Sequence, residues 1–189
     1  MRRIVNGHNH STPSVTYATW NPSDKAAGIT LSGSDLIATA SNADIYAVRS
    51  TIGKSSGKWY FELTVTAAPA NSTSHGVKNS TEVNTVLVGD TTNGYGYNDI
   101  GDKKYNGVDT AYGAAPVNGT VIGVLLNMDD GEISFRHNNT SYGVAFTGLS
   151  GTFFAAMSSG YGANEVTANF GASAFVYSVP AGYNSGLYT

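Results

Sequence analysis

His8 and His10 are the residues of this chain best spaced for metal chemistry, because H-x-H on an extended segment puts both imidazoles on one side. Imidazole suits iron, zinc, copper or nickel. Two ligands do not close a site and no third stands beside them, so a transition metal here requires trimerisation. A solvated tail carrying two histidines is the plainer expectation. The second concentration of chemistry is aromatic and polar. Tyr95, Tyr97, Asn98, Asp99, Lys103 and Tyr105 stand close together, and Tyr161 and Asn164 occupy a similar segment, Ser158–Asn164. Tyrosine offers a rigid amphipathic ring and asparagine an adaptable hydrogen bonder, the combination that recognition surfaces favour. The same rings stack on sugars, so these residues are read as contacts for a protein or a glycan. For Tyr97 and Tyr112 a structural ring is the alternative.

Other constellations carry less. Asp129-Asp130-Gly131-Glu132 has the acidity of a calcium loop but lacks its further oxygen ligands, and a hairpin turn explains all four residues. Glu62, Asp90, Glu132 and Glu165 show no spacing that demands a glycosidase pair. His137 has no nucleophile motif around it, since G-x-S-x-G does not occur. Gly94-Tyr95-Gly96 is too short to cradle phosphate and opens no helical pattern. No catalytic residue set is expected, and a glycan-active enzyme is the weakest reading.

The elements that must position these residues are strands. Val121–Leu126 is a near-continuous apolar run, Asp129-Asp130-Gly131 is turn chemistry, and Ile133 and Phe135 alternate with Ser134 and Arg136. Gly143–Phe146 follows after the polar break Asn138–Ser141, so three strands joined by short turns form an antiparallel meander. In Lys58–Thr66, Trp59, Phe61, Leu63 and Val65 share one face, and Tyr60, Glu62 and Thr64 the other. Further strands are expected at Val15–Trp20 (closed by Asn21-Pro22), Leu36–Ala40, Ile45–Val48, Thr85–Gly89, Tyr95–Tyr97, Lys104–Tyr105, Thr152–Met157 and Val166–Phe170. Ala67–Asn84 has no periodicity and reads as a long functional or mobile loop. No helical period and no internal repeat is visible, which argues for an all-β sandwich.

Composition narrows the function. The chain has 189 residues, enough for one domain with a real core, and is 41% apolar. Only 12% of residues are charged, against about 25% in an average soluble domain. Glycine (23 residues), serine, threonine, asparagine and 12 tyrosines take their place, a neutral hydrogen-bonding surface like that of lectins, fibres and virion components. A net charge of -3 and a pI near 5.7 give no electrostatic footprint for nucleic acid. The absence of cysteine removes disulfides, thiolate chemistry and cysteine zinc sites. No apolar run approaches the ~20 residues of a membrane-spanning helix. No hydrophobic stretch of a signal peptide follows Met1-Arg2-Arg3. A protein of this kind working outside a cell is expected to leave by lysis or a specialised route, a condition that a phage particle meets.

An ordered series of motifs from about Trp20 to Leu187 resembles the SPRY domain family. Gly57-Lys58-Trp59-Tyr60-Phe61-Glu62-Leu63 is similar to its opening strand "GKWYFEV". Tyr95-Gly96-Tyr97, Asn106-Gly107 and Tyr112-Gly113 resemble its middle section. Val121–Asn127 and Gly131–Phe135 resemble its core "GDVIGVLLDLDNGTISFYKNG". Gly143–Phe146, Phe153–Ala156, Asn169-Phe170-Gly171, Phe175 and Pro180–Tyr183 follow in the family's order. Asn118-Gly119-Thr120, Asn127 and His137-Asn138-Asn139 depart from it by removing charge from turns. The Gly7–His10 segment is similar to the Gly-x-His-x-His segments of phage fibres, where three chains gather six imidazoles around one iron.

The resemblance implies a two-layer antiparallel β-sandwich of concanavalin-like jelly-roll character, with residues 14–189 as the domain and 1–13 as an N-terminal arm. Trp59 or Phe61, with Phe135, Phe146, Phe153 and Phe170, would fill its core at ~25 cal/mol per Å2 buried. Gly123, Gly143 and Gly171 suit bulges or close approaches. It further implies non-enzymatic recognition of partners through loops at one edge. Composition extends this to a binding or structural module of a phage virion, on tail fibre, baseplate or capsid, meeting a host-surface receptor or neighbouring virion protein. A cytoplasmic adaptor that binds another protein is the alternative. No cofactor is expected beyond the metal already discussed.

Overall fold

A strand with one apolar face is stable only when that face is stacked on a second sheet. The computed structural model of the chain describes residues 14–41, 44–67 and 72–189. The arm and the His8/His10 pair lie outside the described residues. Among the described residues there are fifteen strands and no helix. In chain order these are β1 (Trp20–Lys25), β2 (Ile29–Ser32), β3 (Ile37–Ala40), β4 (Ile45–Lys54), β5 (Lys58–Ala67), β6 (Thr73–Asn79), β7 (Gly94–Asn98) and β8 (Asp102–Tyr105). There follow β9 (Val108–Ala111), β10 (Val121–Asn127), β11 (Glu132–His137), β12 (Thr140–Thr147), β13 (Phe153–Gly160), β14 (Glu165–Asn169) and β15 (Asn184–Ser185).

Two sheets stack as a sandwich. One runs β1-β4-β13-β6-β7-β8-β9, the other β12-β11-β10-β5-β14-β3-β2. Every ladder is antiparallel except the short one between β15 and β5. The expected meander is present as β10–β11–β12, with Val124 opposite Phe135 and Ile133 opposite Phe146. Phe61, Phe135, Phe153 and Phe170 are buried between the sheets with Trp20, whose ring meets Phe170 edge-on at 5.2 Å. Of the alternatives at the start of β5, Phe61 is the core residue; Trp59 and Phe146 are half-buried and pack on its margin.

Four expectations about elements are corrected. Trp20 opens β1 rather than closing a strand, and the edge position of β1 accommodates Pro22, which has no N–H to donate. The expected loop Ala67–Asn84 contains β6, a strand buried on both faces. Thr85–Gly89 is a turn in which Leu87 and Asp90 bond one another, not a strand. The short strands β2 and β9 were not expected: β2 alternates Ile29 and Leu31 with Thr30 and Ser32 over only four residues, and β9 carries no apolar alternation.

β6 is polar because of what covers it. The segment 80–93 lies over the outer face of its sheet, where the Lys78 ammonium donates to the carbonyls of Val83 (2.7 Å) and Val86 (3.2 Å) and the Ser74 hydroxyl to Val88 (2.8 Å). Burial pushes Lys78 down to about 8, against the pull of Glu82. Arg49 fastens the same segment, donating to the Asn79 and Glu82 carbonyls and in a fork to both oxygens of Asp24 at 2.7 Å. Its guanidinium holds the Asp24 carboxyl below the usual range. On the inner face, His75 is fully buried, and among the described residues neither ring nitrogen has a side-chain hydrogen-bond partner in place. Desolvation pushes it down to about 4, against an opposing influence of the Tyr97 backbone.

The other sheet is covered by the segment around Phe175–Tyr177. Glu62, buried in β5, accepts from the backbone N–H groups of Val176 (2.8 Å) and Tyr177 (2.9 Å) and from the Tyr60 hydroxyl (2.8 Å). Phe175 packs edge-on against the Tyr60 ring at 5.1 Å. The second face of β5 is therefore interior as well.

Candidate functional site

At one end of the sandwich β7 and β13 finish while β4 and β6 begin, so the connections there are neighbours. The chain at Ser72–Thr73 joins two of them: Thr73 O accepts from Asp99 N, and Ser72 O from Gly160 N. Asn98 closes the β7–β8 turn with its side chain. Its Oδ1 accepts from the N–H of Ile100 (3.2 Å) and Asp102 (2.8 Å), and its Nδ2 donates to Asp109 Oδ1 (3.0 Å). Gly101, at φ 89°, allows the turn to lie against the backbone of Gly113, where a Cβ would meet the carbonyl oxygen at 2.5 Å.

So tight a turn throws Ile100 outward, 64% exposed. On the outer face beside it is a cleft of about 280 Å3 lined by Ser72, Leu87, Asn98, Asp99, Ile100, Lys104 and Asp109. Lys104 stands between Asp90 (3.1 Å) and Asp109 (3.4 Å). Partial burial works against its charge, yet these carboxylates raise its pKa. On the adjoining β13–β14 turn Tyr161 is 67% exposed, at a φ of 57° that is unusual outside glycine. The arrangement offers two exposed apolar anchors beside a polar, net acidic cleft.

The residues singled out in the sequence divide by strand parity. Asn98 and Asp99 line the cleft, and Tyr161 stands on the neighbouring turn. Asn164 is fully buried behind that turn, its carbonyl accepting from Ala40 N. Tyr95, Tyr97, Lys103 and Tyr105 point the other way, between the sheets, so reading them as partner contacts is corrected on placement. Tyr95 is 7% exposed, lies flat on Tyr105 at 4.8 Å, tilts against Phe146 and meets Phe153 edge-on; burial pushes its hydroxyl up to about 12. Tyr97 is 0% exposed, is stacked on Phe135 at 5.6 Å and donates to the Ala114 carbonyl; burial raises its pKa as well. Tyr112 is likewise structural, its hydroxyl bonded to Gly143 and Phe135. Lys103 spans the gap to the other sheet, donating to Ala145 O at 2.7 Å over the Phe146 ring. Ser72, Leu87, Ile100, Lys104 and Asp109 line the cleft without having been expected from the sequence. For Ile100 a signal existed: an isolated apolar residue inside Asn-Asp-Ile-Gly turn chemistry.

Three of the four carboxylates weighed for catalysis have structural partners. Glu62 holds Val176 and Tyr177, Glu165 accepts from Thr39 and Thr66, and Asp90 accepts from Leu87 N and Lys104. Asp129 accepts from Gly57 N, and Asp130 pairs with Lys58 at 2.8 Å across the same turn. Among the described residues no three histidine, cysteine or acidic side chains gather as metal ligands.

Comparison with known proteins bears on this architecture. The SPRY domain family model matches residues 58–173. Ran-binding protein 9 of Xenopus tropicalis is 31% identical over 85% of this chain and 31% of its own length. A probable ATP-dependent RNA helicase, ddx1 of Dictyostelium discoideum, is 30% identical over 65% of this chain and 16% of its own. The chain thus spans less than a third of the length of these relatives. Among solved structures, the SPRY domain of human HERC1 superposes with a TM-score of 0.69 at 17% identity, covering 79% of this chain and 96% of that one. Stonustoxin superposes with a TM-score of 0.65 at 16% identity, covering 82% of this chain and 27% of that one. With the family model matching more than half of the sequence, this chain belongs to the SPRY domain family, a family of protein–protein interaction modules.

Proposed function

We propose that this domain recognises a partner protein at the end of the sandwich formed by the β7–β8 and β13–β14 turns, without catalysing a reaction. The observation that carries the reading is the contrast within the aromatic-rich region. Its other rings are packed inside, while Ile100 and Tyr161 are held out beside a polar cleft. Exposed apolar anchors flanked by polar groups are the energetic centre of typical recognition surfaces. The structural use of Glu62, Glu165 and Asp90 supports the non-catalytic part.

Two settings fit. Similarity to segments of larger frog and slime-mould proteins supports an adaptor inside a cell, the setting we place first. The neutral, tyrosine-rich composition supports a virion component that meets a host receptor or a neighbouring subunit. Selection of a random peptide display library on the immobilised protein tests recognition itself. The selected peptides should lose binding to Ile100→Ser and Tyr161→Ala but keep it for Val176→Ser, an exposed apolar residue on another segment. Equal binding to all three variants overturns this assignment of the site, and capture of glycans in place of peptides changes the partner class.

A further inference from the structure

Among the described residues the two sheet paths end on four strands, with the two-residue β15 beside β5, and three of the four are obstructed. β1 carries Pro22, with no N–H to offer. On β2 the Ile29 carbonyl is taken by the Lys25 ammonium at 2.7 Å. On β12 the carbonyls of Gly143 and Ala145 are taken by the Tyr112 hydroxyl and the Lys103 ammonium. Such devices keep an edge from pairing with other chains. β9 differs. All four of its residues are exposed, and among the described residues its backbone bonds only to β8.

The turn that begins β9 fixes which of its groups are free. Asn106 and Gly107, at φ 51° and 72°, form a two-residue type I′ turn, so Tyr105 and Val108 exchange hydrogen bonds, as do Lys103 and Thr110. Asp109 and Ala111 therefore aim their N–H and C=O groups away from β8, two donors and two acceptors in one line facing solvent.

We infer that this edge accepts an extended basic segment of a partner protein as an added strand, which rests on the protein-recognition reading above. Charge decides the occupant. By strand alternation the outer face here carries Asp102 and Asp109, with Asp90 and Asp99 adjoining, against the one ammonium of Lys104. Lys103 turns its own charge inward to Ala145. A lysine or arginine across from Asp109 lies at cross-strand pairing distance from its carboxylate. The next residue of the added strand, on the opposite face, covers Val108, which is 60% exposed. The segment that fits therefore alternates basic and apolar residues. A second copy of this chain would bring the same carboxylates to the same edge, where like charges repel.

The test titrates the protein with an alternating Arg-Val octapeptide, its Glu-Val counterpart, and an Arg-Val peptide N-methylated at every second amide. The Arg-Val peptide should slow amide hydrogen exchange at Asp109 and Ala111, and the Glu-Val peptide should not. N-methylation, or Ala111→Pro in the protein, should weaken binding about tenfold or more by removing edge hydrogen bonds. The N–H that Ala111→Pro deletes faces solvent, so an unchanged melting temperature shows that the fold is kept. The inference is overturned if the Arg-Val peptide does not bind, if it binds Ala111→Pro equally well, or if the two amides stay unprotected. A dimer in sedimentation that Ala111→Pro dissolves makes the occupant a second copy and overturns the basic segment. Loss of selected peptides by Ile100→Ser and Tyr161→Ala, measured separately, leaves the recognition reading standing even if the edge fails.

Discussion

Each sheet of this sandwich is covered on its outer face by a segment pinned to buried charge, Glu62 on one side and Lys78 with Arg49 on the other, and Glu62 and Lys78 differ in kind. Glu62 is a carboxylate with three donors around it, two backbone N–H groups and the Tyr60 hydroxyl, at 2.8 to 2.9 Å. Lys78 is an ammonium with two carbonyls and a carboxylate neighbour, and its burial brings its pKa down to about 8. A carboxylate can accept several bonds on two oxygens and is well satisfied by backbone donors, whereas an ammonium under a segment of carbonyls retains much of its desolvation cost. Of these two pins Glu62 is thus the tighter and Lys78 the more conditional. The face that carries Lys78 is the one beside the cleft, since Leu87 of its covering segment lines that cleft.

Breaking the tighter pin should have the largest effect. Glu62→Ala strands two backbone donors and a buried hydroxyl, and should cost about 3 kcal/mol or more in urea unfolding. Glu62→Gln, which keeps one accepting oxygen, should cost less. If Glu62→Ala melts like the wild type, the account of that face is wrong.

Two pH experiments sharpen the contrast on the other sheet. Lys78 has a folded pKa of about 8 against 10.5 unfolded, so the unfolded chain binds more protons between these values and stability rises with pH there. Relative to Lys78→Met, the wild type should gain about 2 kcal/mol between pH 8 and 10. His75, at about 4 folded against 6.5 unfolded, has the same sign in a lower window. Its contribution is present above pH 6.5 and is lost as pH falls towards 4. Compared with His75→Met, the wild type should lose about 2 kcal/mol between pH 7 and 5. Parallel pH curves for variant and wild type would remove the titrating role in either case. The smallest effect is expected at the exposed turns. Ile100→Ser should shift stability by no more than about 0.5 kcal/mol, so any loss of binding it causes is local.

How much was legible depends on whether one face of a strand meets solvent. β5 and β10 to β12 were readable because Phe61, Leu63, Ile133 and Phe135 recur every second residue and turn residues separate the runs. β6 was not, because covering segment 80–93 makes its outer face interior too; Ser74 and Lys78 are polar yet buried, and the alternation disappears. β9 escaped notice for the opposite reason: all its residues are exposed, so no apolar face marks it. The site was half readable. Asp99 and Tyr161 stand at the exposed end and Asn98, itself buried, closes the turn there, but composition cannot tell an inward tyrosine from an outward one.

The sequence by itself determined two stacked antiparallel layers, through the spacing of its large apolar residues and the turn chemistry between them, and it carried the family resemblance. Only the tertiary structure decided which groups are left to meet a partner. Pairing β7 with β6 and β8 turned Tyr95, Tyr97 and Tyr105 onto the aromatic core and turned Asn98 and Lys104 outward. A shift of one residue in that register would reverse every one of these side chains. Which face goes inward is set by rings distant in the chain, Phe135, Phe146 and Phe153, that receive Tyr95 and Tyr97, and no local pattern records them.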